Sequence, residues 1–327
     1  MSHTSELSPD FDFPKPRIVD TGEVRLAVHE LGDGPPLILV HGFPELAYSW
    51  RHQLPALAAA GYHAIAPDMR GYGGSDKPQR VRDYTIQKLI GDLRGLCAAM
   101  SIERAVFIGH DWGAIVTWQM ALLEPQLMTG LICLNIPHIP RPPINPITYM
   151  RIRLGKDFYI VNFQKSDEAD RRFAEDPRRF INVMMRRRRF PKGRSAKGHR
   201  KRRPLSLLGL LDQAEPAGTP LLSEEELDVY AQSFAAGGFT GPINWYRNWA
   251  HNWKTTKGVD QTVRVPALFV GADNEIVISP RQIEAMKPYV EDLEVRMIRD
   301  CGHWTQQERP DELNRIMLEW LARRYPC

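Results

Sequence analysis

Residues 106–114 read VFIGHDWGA, and this stretch predicts both a fold and a reactive group. An apolar, strand-like run meets Gly109, and a helix-like run follows Gly113. The spacing matches the Gly-x-Ser-x-Gly turn that exposes a nucleophile between a strand and a helix, but Asp111 replaces the serine. A simple helix N-cap would explain an isolated aspartate, but it would not require the two flanking glycines. We therefore predict a carboxylate nucleophile, kept ionised by the N-terminus of the helix.

Strand-like and helix-like segments alternate on both sides of this turn. The predicted strands cover residues 24–30, 37–40, 63–66, 105–108, 130–135, 267–270 and 293–298. The predicted helices between them cover residues 53–60, 86–100, 115–123, 281–287 and 311–323. This alternation is typical of an α/β fold, in which helices cover both faces of a mostly parallel central sheet.

The alternation is interrupted in the middle of the chain. A proline-rich segment at 136–146 ends it, and the following residues predict helices without strands, one of them opened by a capping box at Ser223. We predict an α/β core formed by residues 1–140 and 256–327, with a helical cap inserted at 141–255.

The composition bounds the class of protein. The chain has 327 residues, of which 43% are apolar and 25% charged, as in ordinary globular proteins. It has no apolar run long enough to span a membrane, and residues 1–16 are polar and proline-rich without an apolar core, so we expect no secretory signal. Four widely spaced cysteines predict free thiols and a cytoplasmic location. No metal-ligand spacing and no phosphate-binding glycine loop is present, so we expect neither a metal nor a cofactor.

A basic segment stands out within the predicted cap. Residues 186–203 carry 11 Lys or Arg and no acid, so the rest of the chain has a net charge of −7 against a total of +4. Such a segment either contacts nucleic acid or an anionic membrane, or forms a solvated loop. Proteins that bind single-stranded nucleic acid stack its bases on several aromatic side chains, but this segment has only one, Phe190. We therefore favour the solvated loop.

Two further side chains complete a candidate triad. His303 lies in DCGHWT, after the strand at 293–298, and ligands gather at such strand ends in open α/β sheets. The segment VGADNEIVI, which follows the strand at 267–270, offers Asp273 and Glu275 as the acid that orients the histidine. The spacing of these residues does not decide between the two acids.

The segment HGFPE at 41–45 follows another apolar strand. Backbone N–H groups of Phe43 and Trp112 are candidates to stabilise a developing oxyanion. The alternative is a tight structural turn, and a cis Phe43–Pro44 bond would suit both interpretations.

Four motifs in order, HGFPE, DMRGYG (68–73), GHDWG and CGHW, resemble those of the soluble epoxide hydrolases of the α/β-hydrolase superfamily. The resemblance extends over residues 11–323 and is weakest in the cap. It implies the α/β-hydrolase fold, with an aspartate at Asp111 that attacks an epoxide and an ester that water then hydrolyses. It also implies that Glu275, rather than Asp273, is the acid.

The same resemblance implies two cap tyrosines that hold the epoxide oxygen, and they match Tyr246 in GPINWYRNW and Tyr159 in DFYIVNFQ. Packing in a helical cap is the alternative role for both. A set of aromatic side chains predicts a pocket for a lipophilic or aryl epoxide: Trp112, Tyr159, Phe163, Tyr246 and Trp304.

Other members of the superfamily offer alternatives. A haloalkane dehalogenase uses the same aspartate, and its following tryptophan binds halide, but the cap tyrosines and Phe43 favour an epoxide. A fluoroacetate dehalogenase has a charged residue where Trp112 stands. A catalytically silent hormone-binding relative would have a broken triad, whereas Asp111, Glu275 and His303 are all present.

Overall fold

The strands of the protein, seen in a computed structural model that describes residues 12–165, 167–187 and 205–327, carry the candidate residues at their ends. They are β1 (Arg17–Asp20), β2 (Arg25–Leu31), β3 (Pro36–Val40), β4 (His63–Pro67), β5 (Ala105–His110), β6 (Met128–Leu134), β7 (Arg186–Arg187), β8 (Thr219–Pro220), β9 (Ala267–Ala272) and β10 (Leu293–Ile298).

Helices connect most of these strands. The α-helices are α1 (Gln53–Ala59), α2 (Ile86–Ala99), α3 (Trp112–Leu123), α4 (Pro146–Leu154), α5 (Tyr159–Asn162), α6 (Glu168–Glu175), α7 (Pro177–Met184), α8 (Leu207–Leu211), α9 (Glu224–Gly237), α10 (Thr240–Arg247), α11 (Trp249–Thr255), α12 (Pro280–Met286), α13 (Thr305–Glu308) and α14 (Pro310–Arg324). Short 3-10 helices cover Ala47–Trp50, Val81–Tyr84, Pro125–Leu127 and Lys287–Tyr289.

An eight-stranded sheet has the order β1-β2-β4-β3-β5-β6-β9-β10. The pairs β1–β2 and β2–β4 are antiparallel, and the pairs from β4–β3 through to β9–β10 are parallel. The predicted mostly parallel sheet is therefore confirmed. The edge strand β1 was not predicted, because four residues with a single buried side chain leave little periodicity.

The central strands of the sheet are buried on both faces. Leu37 and Leu39 of β3 belong to one apolar cluster with Leu54 of α1 and Trp320 of α14. Ile38 points to the opposite face and is equally buried. Helix α3 contacts β5 and β6 and packs beside α2. Because both faces are covered, the central strands are almost continuously apolar, as the sequence indicated.

The chain divides into two compact units. The sheet unit contains the described residues up to Pro78, together with Ile86–Pro140 and Gly258–Cys327, and the helical unit contains Gln79–Thr85 and Arg141–Lys257. The first part of the helical unit lies outside the predicted cap at 141–255. It joins α10 through a 3-10 helix, and Asn248 donates its side-chain N–H to the Val81 carbonyl at 2.6 Å.

Local signals within the helical unit have a mixed outcome. The capping box at Ser223 is present, with the side chains of Ser223 and Glu226 each accepting the other's backbone N–H. The prediction of helices without strands is wrong, because β7 and β8 pair antiparallel. A two-residue strand is too short to leave a sequence pattern. Apart from Arg186 and Arg187, the basic segment 186–203 lies outside the described residues.

Two further details bear on the site. The Phe43–Pro44 bond is cis, as expected from the sequence. Helix α3 begins at Trp112 rather than at residue 115, because the Ile115 N–H closes the first turn on the Asp111 carbonyl.

In the part of the chain that the structure describes, no helix is long and apolar enough to cross a membrane.

Candidate active site

Asp111 lies at the apex of a tight turn between β5 and α3. Its backbone has φ 50° and ψ −118°, a conformation that non-glycine residues seldom adopt and that often marks functional sites. A Cβ atom at Gly109 would lie 2.4 Å from the Gly113 carbonyl oxygen, and one at Gly113 would lie 1.9 Å from the Val40 carbonyl oxygen. The two glycines therefore allow the close approach that the sequence predicted for this turn.

The two carboxylate oxygens of Asp111 have different surroundings. The Phe43 N–H donates to Oδ1 at 3.0 Å, and Nε2 of His303 lies 3.5 Å from Oδ2. Trp112 begins α3, so its amide lies at the positive end of the helix dipole. The structure thus brings together four residues that the sequence singled out, in the loops that follow the carboxyl ends of the parallel strands β3, β5 and β10.

His303 contacts Glu275 on the other side of its ring. Nδ1 lies 2.9 Å and 3.1 Å from the two oxygens of the Glu275 carboxylate. That carboxylate also accepts the backbone N–H groups of Ile276 at 2.7 Å and Val277 at 2.8 Å. Asn135 donates to it through Nδ2 at 2.7 Å. These three hydrogen bonds hold the Glu275 carboxylate in place, so that it can orient the imidazole of His303.

The charges of this group are coupled. Burial alone would raise the pKa of Glu275, but the adjacent His303 and hydrogen bonds to the carboxylate outweigh burial and lower that pKa to about 2. Burial alone would lower the pKa of His303, but Glu275 and then Asp111 hold it well above its ordinary value. The unreacted site therefore favours an imidazolium between two carboxylates.

Asp273, the other candidate acid, lies apart from the imidazole. Its side chain is exposed, and Oδ1 accepts the Cys301 N–H at 3.3 Å. This contact joins the loop after β9 to the loop after β10. The geometry thus distinguishes two acids that sequence spacing left open.

The two predicted tyrosines come together within the helical unit. Tyr159 begins α5, Tyr246 lies in α10, and their ring centroids are 5.8 Å apart at an interplanar angle of 74°. Phe163 packs edge-on against both rings, with centroid distances of 5.7 Å and 5.1 Å. All three side chains are buried. Phe163, which the sequence suggested for a substrate pocket, is thus a packing partner of both phenol rings.

Comparisons with known proteins show which family the chain belongs to. A family model described as alpha/beta hydrolase fold matches residues 35–310. Epoxide hydrolase A of Mycobacterium tuberculosis is 44% identical over 94% of this chain and 98% of its own length. The chain belongs to the epoxide hydrolase family. The predicted α/β-hydrolase fold and the predicted family are confirmed.

Further relatives in this family extend the likeness to structure. The crystal structure of Epoxide Hydrolase A from Mycobacterium thermoresistibile is 39% identical, with a TM-score of 0.85 over 94% of this chain and 98% of that chain. Bifunctional epoxide hydrolase 2 of Sus scrofa is 38% identical over 91% of this chain, which spans 53% of that longer protein.

Sequence reasoning missed Asn135 in this epoxide hydrolase family member. The residue directly follows β6 and has φ 64°, and its side-chain N–H also reaches the Gly302 carbonyl at 3.2 Å. Asn135 therefore connects the acid to the loop that carries the histidine. Its place at the end of a parallel strand was the available signal, but an amide at a strand end is common in turns.

Sequence reasoning also missed a buried cluster of polar side chains next to the nucleophile. His110 contacts Oε2 of Glu45 through Nδ1 at 2.6 Å and donates through Nε2 to the His303 carbonyl at 2.7 Å. Gln306 donates to Oε1 of Glu45 at 2.5 Å, and Glu45 accepts the Gly42 N–H at 2.9 Å. This group links three loops of the site, although its members lie far apart in the sequence.

The ring of Trp304, another residue predicted to line a pocket, packs on the catalytic side of the sheet unit. Its centroid lies 4.8 Å from that of His303, in an edge-on arrangement. Across residues 12–165, 167–187 and 205–327, no cluster of His, Cys, Asp and Glu could hold a metal ion.

Proposed function

We propose that the enzyme hydrolyses a lipophilic or aryl epoxide to a vicinal diol through an ester on Asp111, with water as the second substrate. The observation that carries the proposal is the division of labour between the two Asp111 oxygens. Oδ1 accepts the Phe43 N–H, whereas Oδ2 faces His303. The names of the relatives agree with this reaction.

Ester formation requires a nucleophile and an acid. An epoxide carbon is strained, so an ionised Asp111 can displace its oxygen without help from a base. We assign the attack to Oδ2, because Oδ1 is already held by a backbone donor. The C–O bond of the ring breaks, and the alkoxide takes a proton from the phenols of Tyr159 and Tyr246, which are neutral at pH 7.

Ester formation also prepares the second step. It neutralises Asp111, one of the two charges that raise the pKa of His303. The imidazole then loses its proton more readily and becomes a base for water. Glu275, whose pKa is lowered to about 2, remains ionised and keeps the Nδ1–H oriented toward it.

Ester hydrolysis places negative charge on Oδ1. Water attacks the Asp111 carbonyl carbon, and its proton passes to Nε2 of His303. The amides of Phe43 and Trp112 stabilise the oxyanion, and the loss of one such donor typically costs about 3–4 kcal/mol of barrier. When the ester bond breaks, one proton of the water completes the second hydroxyl of the diol, and the other stays on His303 and restores the imidazolium. The proton that the imidazolium gave up after ester formation returns to the phenol, so protons balance over the cycle.

Diol formation from styrene oxide tests the reaction and its nucleophile together. We expect diol from the wild type and none above background from Asp111→Ala. His303→Gln should form the ester without hydrolysing it, so intact-protein mass spectrometry should show the added mass of the epoxide, located on Asp111 by peptide mapping. An unmodified Asp111 in that variant would contradict the covalent step.

A haloalkane dehalogenase is the second candidate. Trp112 directly follows the nucleophile and carries an indole N–H of the kind that binds a leaving halide. Halide release from a bromoalkane, without diol formation from a panel of epoxides, would favour that reaction. Diol formation without halide release would exclude it for the substrates tested.

We also propose a reducing, cytoplasmic compartment for the enzyme. All four cysteines are free, and Cys97, Cys133 and Cys301 are buried. Buried thiols in separate parts of the chain have no need of an oxidising environment. If cells of the native host are fractionated, we expect to recover the enzyme in the cytosolic fraction.

A further inference from the structure

Glu308 holds the backbone on both sides of His303. It ends α13, and its side chain is buried. Oε2 accepts the Gly302 N–H at 3.0 Å, and Oε1 accepts the Trp304 N–H at 3.2 Å. A single carboxylate thus uses one oxygen for each of the two peptide groups that flank the histidine.

The segment held in this way has no regular structure of its own. Residues 299–304 lie between β10 and α13, and Asp300, near the start of this segment, has φ 49°. Arg309, the neighbour of Glu308, donates to the Asp300 carbonyl at 3.1 Å and to its carboxylate at 2.8 Å. Without a strand or helix ladder, the position of His303 depends on such side-chain acceptors and donors.

We propose that Glu308 is a positioning residue for the hydrolytic half of the reaction. It fixes the main chain so that Nε2 of His303 can direct water at the Asp111 ester, whereas ester formation itself does not use the histidine as a base. The inference rests on the proposed function, in which the ester is an intermediate. A displacement of about 1 Å in a catalytic group can cost about 100-fold in rate.

The two substitutions Glu308→Gln and Glu308→Ala remove one and both, respectively, of the hydrogen bonds that Glu308 accepts from the backbone around His303. An amide has one acceptor oxygen, so Glu308→Gln retains one of the two hydrogen bonds, and Glu308→Ala retains neither. We expect ester hydrolysis to slow by about tenfold and about 100-fold, respectively. Single-turnover ester formation from styrene oxide should be unchanged. Ester-bearing enzyme should therefore accumulate at steady state, and kcat and KM should fall together.

Asp68→Asn is the matched control. Asp68 is another buried carboxylate that accepts two backbone amides, from Ala47 at 2.9 Å and Gly74 at 3.0 Å, with one oxygen each. Its substitution should lower the melting temperature without ester accumulation. Accumulation in Glu308→Gln but not in Asp68→Asn would support the proposal. Equal accumulation in both would overturn it, because general loosening of the fold would then suffice.

His303→Gln separates this inference from the proposed function. No ester in that variant would contradict the covalent mechanism itself. An ester in His303→Gln, but none in a folded Glu308→Gln, would overturn only the role of Glu308. If Glu308→Ala does not fold, Glu308→Gln decides the question, since it keeps the size of the side chain.

Discussion

The sheet unit and the helical unit hold their candidate catalytic side chains by different means. In the sheet unit, Asp111, His303 and Glu275 are linked through polar contacts, and charges dominate their surroundings. In the helical unit, Tyr159 and Tyr246 are held by edge-to-face packing of aromatic rings. Charged groups shift one another's pKa over short distances and are costly to bury without a partner. Neutral phenol rings can pack in an apolar cluster without the cost of burying a charge.

This difference separates the two half-reactions of the proposed mechanism. The histidine and its acid serve ester hydrolysis, and the phenols serve ester formation. Substitutions in the sheet unit around the histidine should therefore cause the ester to accumulate. Substitutions around the phenols should instead slow its appearance. Measurements that resolve the two rates can break or sharpen the comparison.

The largest effect is expected from Glu275→Gln. The amide keeps the size of the side chain but removes the charge that favours the required imidazole tautomer and the imidazolium. Replacement of the acid in a comparable triad lowers turnover by about 10⁴-fold. We expect a loss of about 10³–10⁴ in ester hydrolysis with ester formation retained, measured by rapid quench and intact-protein mass spectrometry.

Asp273→Asn serves as the control for that prediction. It alters an exposed acid between the same two loops, which contacts the Cys301 N–H rather than the histidine. Turnover within about twofold of wild type is expected, since substitutions of surface side chains usually have small effects. A large loss in Asp273→Asn, with none in Glu275→Gln, would reverse the assignment of the acid.

Removal of the phenol hydroxyls should affect the other half-reaction. The double substitution of Tyr159→Phe and Tyr246→Phe preserves the ring packing and removes both proton donors. General acid catalysis contributes about 10²–10⁴-fold, and we expect ester formation to slow by that factor. Single-turnover kinetics with excess enzyme should show slow appearance of the ester and no accumulation.

Tyr149→Phe is a matched control for the phenols. Tyr149 lies in α4 of the same unit, and its side chain is exposed. It should leave the rate of ester formation unchanged. Unchanged ester formation in the double variant would show that another group protonates the epoxide oxygen.

Sequence reasoning found the residues with strong local signals. Asp111 was found because a strand, two glycines and a helix start lie within nine residues, and His303 because it follows a strand in the expected order. Asn135 and Glu308 were missed because their partners are peptide groups and a carboxylate in other loops. Hydrogen bonds from backbone N–H groups leave no residue pattern, so only the folded chain reveals which acid clamps a loop and which one faces solvent.

Arg247→Met should produce a smaller effect in the helical unit. The Arg247 side chain pairs with both oxygens of Asp170 at 2.9 Å and 2.6 Å and donates to the Phe163 carbonyl at 3.2 Å. It thereby ties α10, which carries Tyr246, to the backbone of Phe163, whose ring packs edge-on against both phenols. Loss of one partner of a buried ion pair costs about 3–5 kcal/mol of unfolding free energy. We expect a lower melting temperature and ester formation slowed by about tenfold.

Two variants show whether the buried pair is responsible. Arg178→Met removes exposed ion pairs with Glu224 and Asp228 in the same unit, and it should lower the melting temperature much less, because water screens exposed charges. Combining Arg247→Met with Asp170→Leu should recover part of the stability, because no buried charge is then left alone. No recovery in the double variant would indicate that the packing of Arg247, rather than its charge, matters.

The smallest expected effect is a change in the pKa of His303 rather than in a reaction rate. Asp111→Asn replaces a carboxylate by a neutral amide, which in charge resembles the esterified enzyme. A negative neighbour stabilises the imidazolium, so its removal should lower the pKa of His303, although Glu275 still holds that pKa up. Imidazole ¹⁵N chemical shifts followed against pH should move to a lower midpoint in the variant, while mass spectrometry verifies that the amide is intact.

The same titration bears on stability and on the link between the two half-reactions. Because the pKa of His303 is raised on folding, its stabilising contribution is complete below the unfolded value of about 6.5 and is lost as pH rises through the folded value. In Asp111→Asn this loss should begin at lower pH, and Asp273→Asn should behave like wild type. An identical His303 midpoint in Asp111→Asn and wild type would mean that esterification does not prepare the base, and that the two half-reactions are independent in charge as well as in structure.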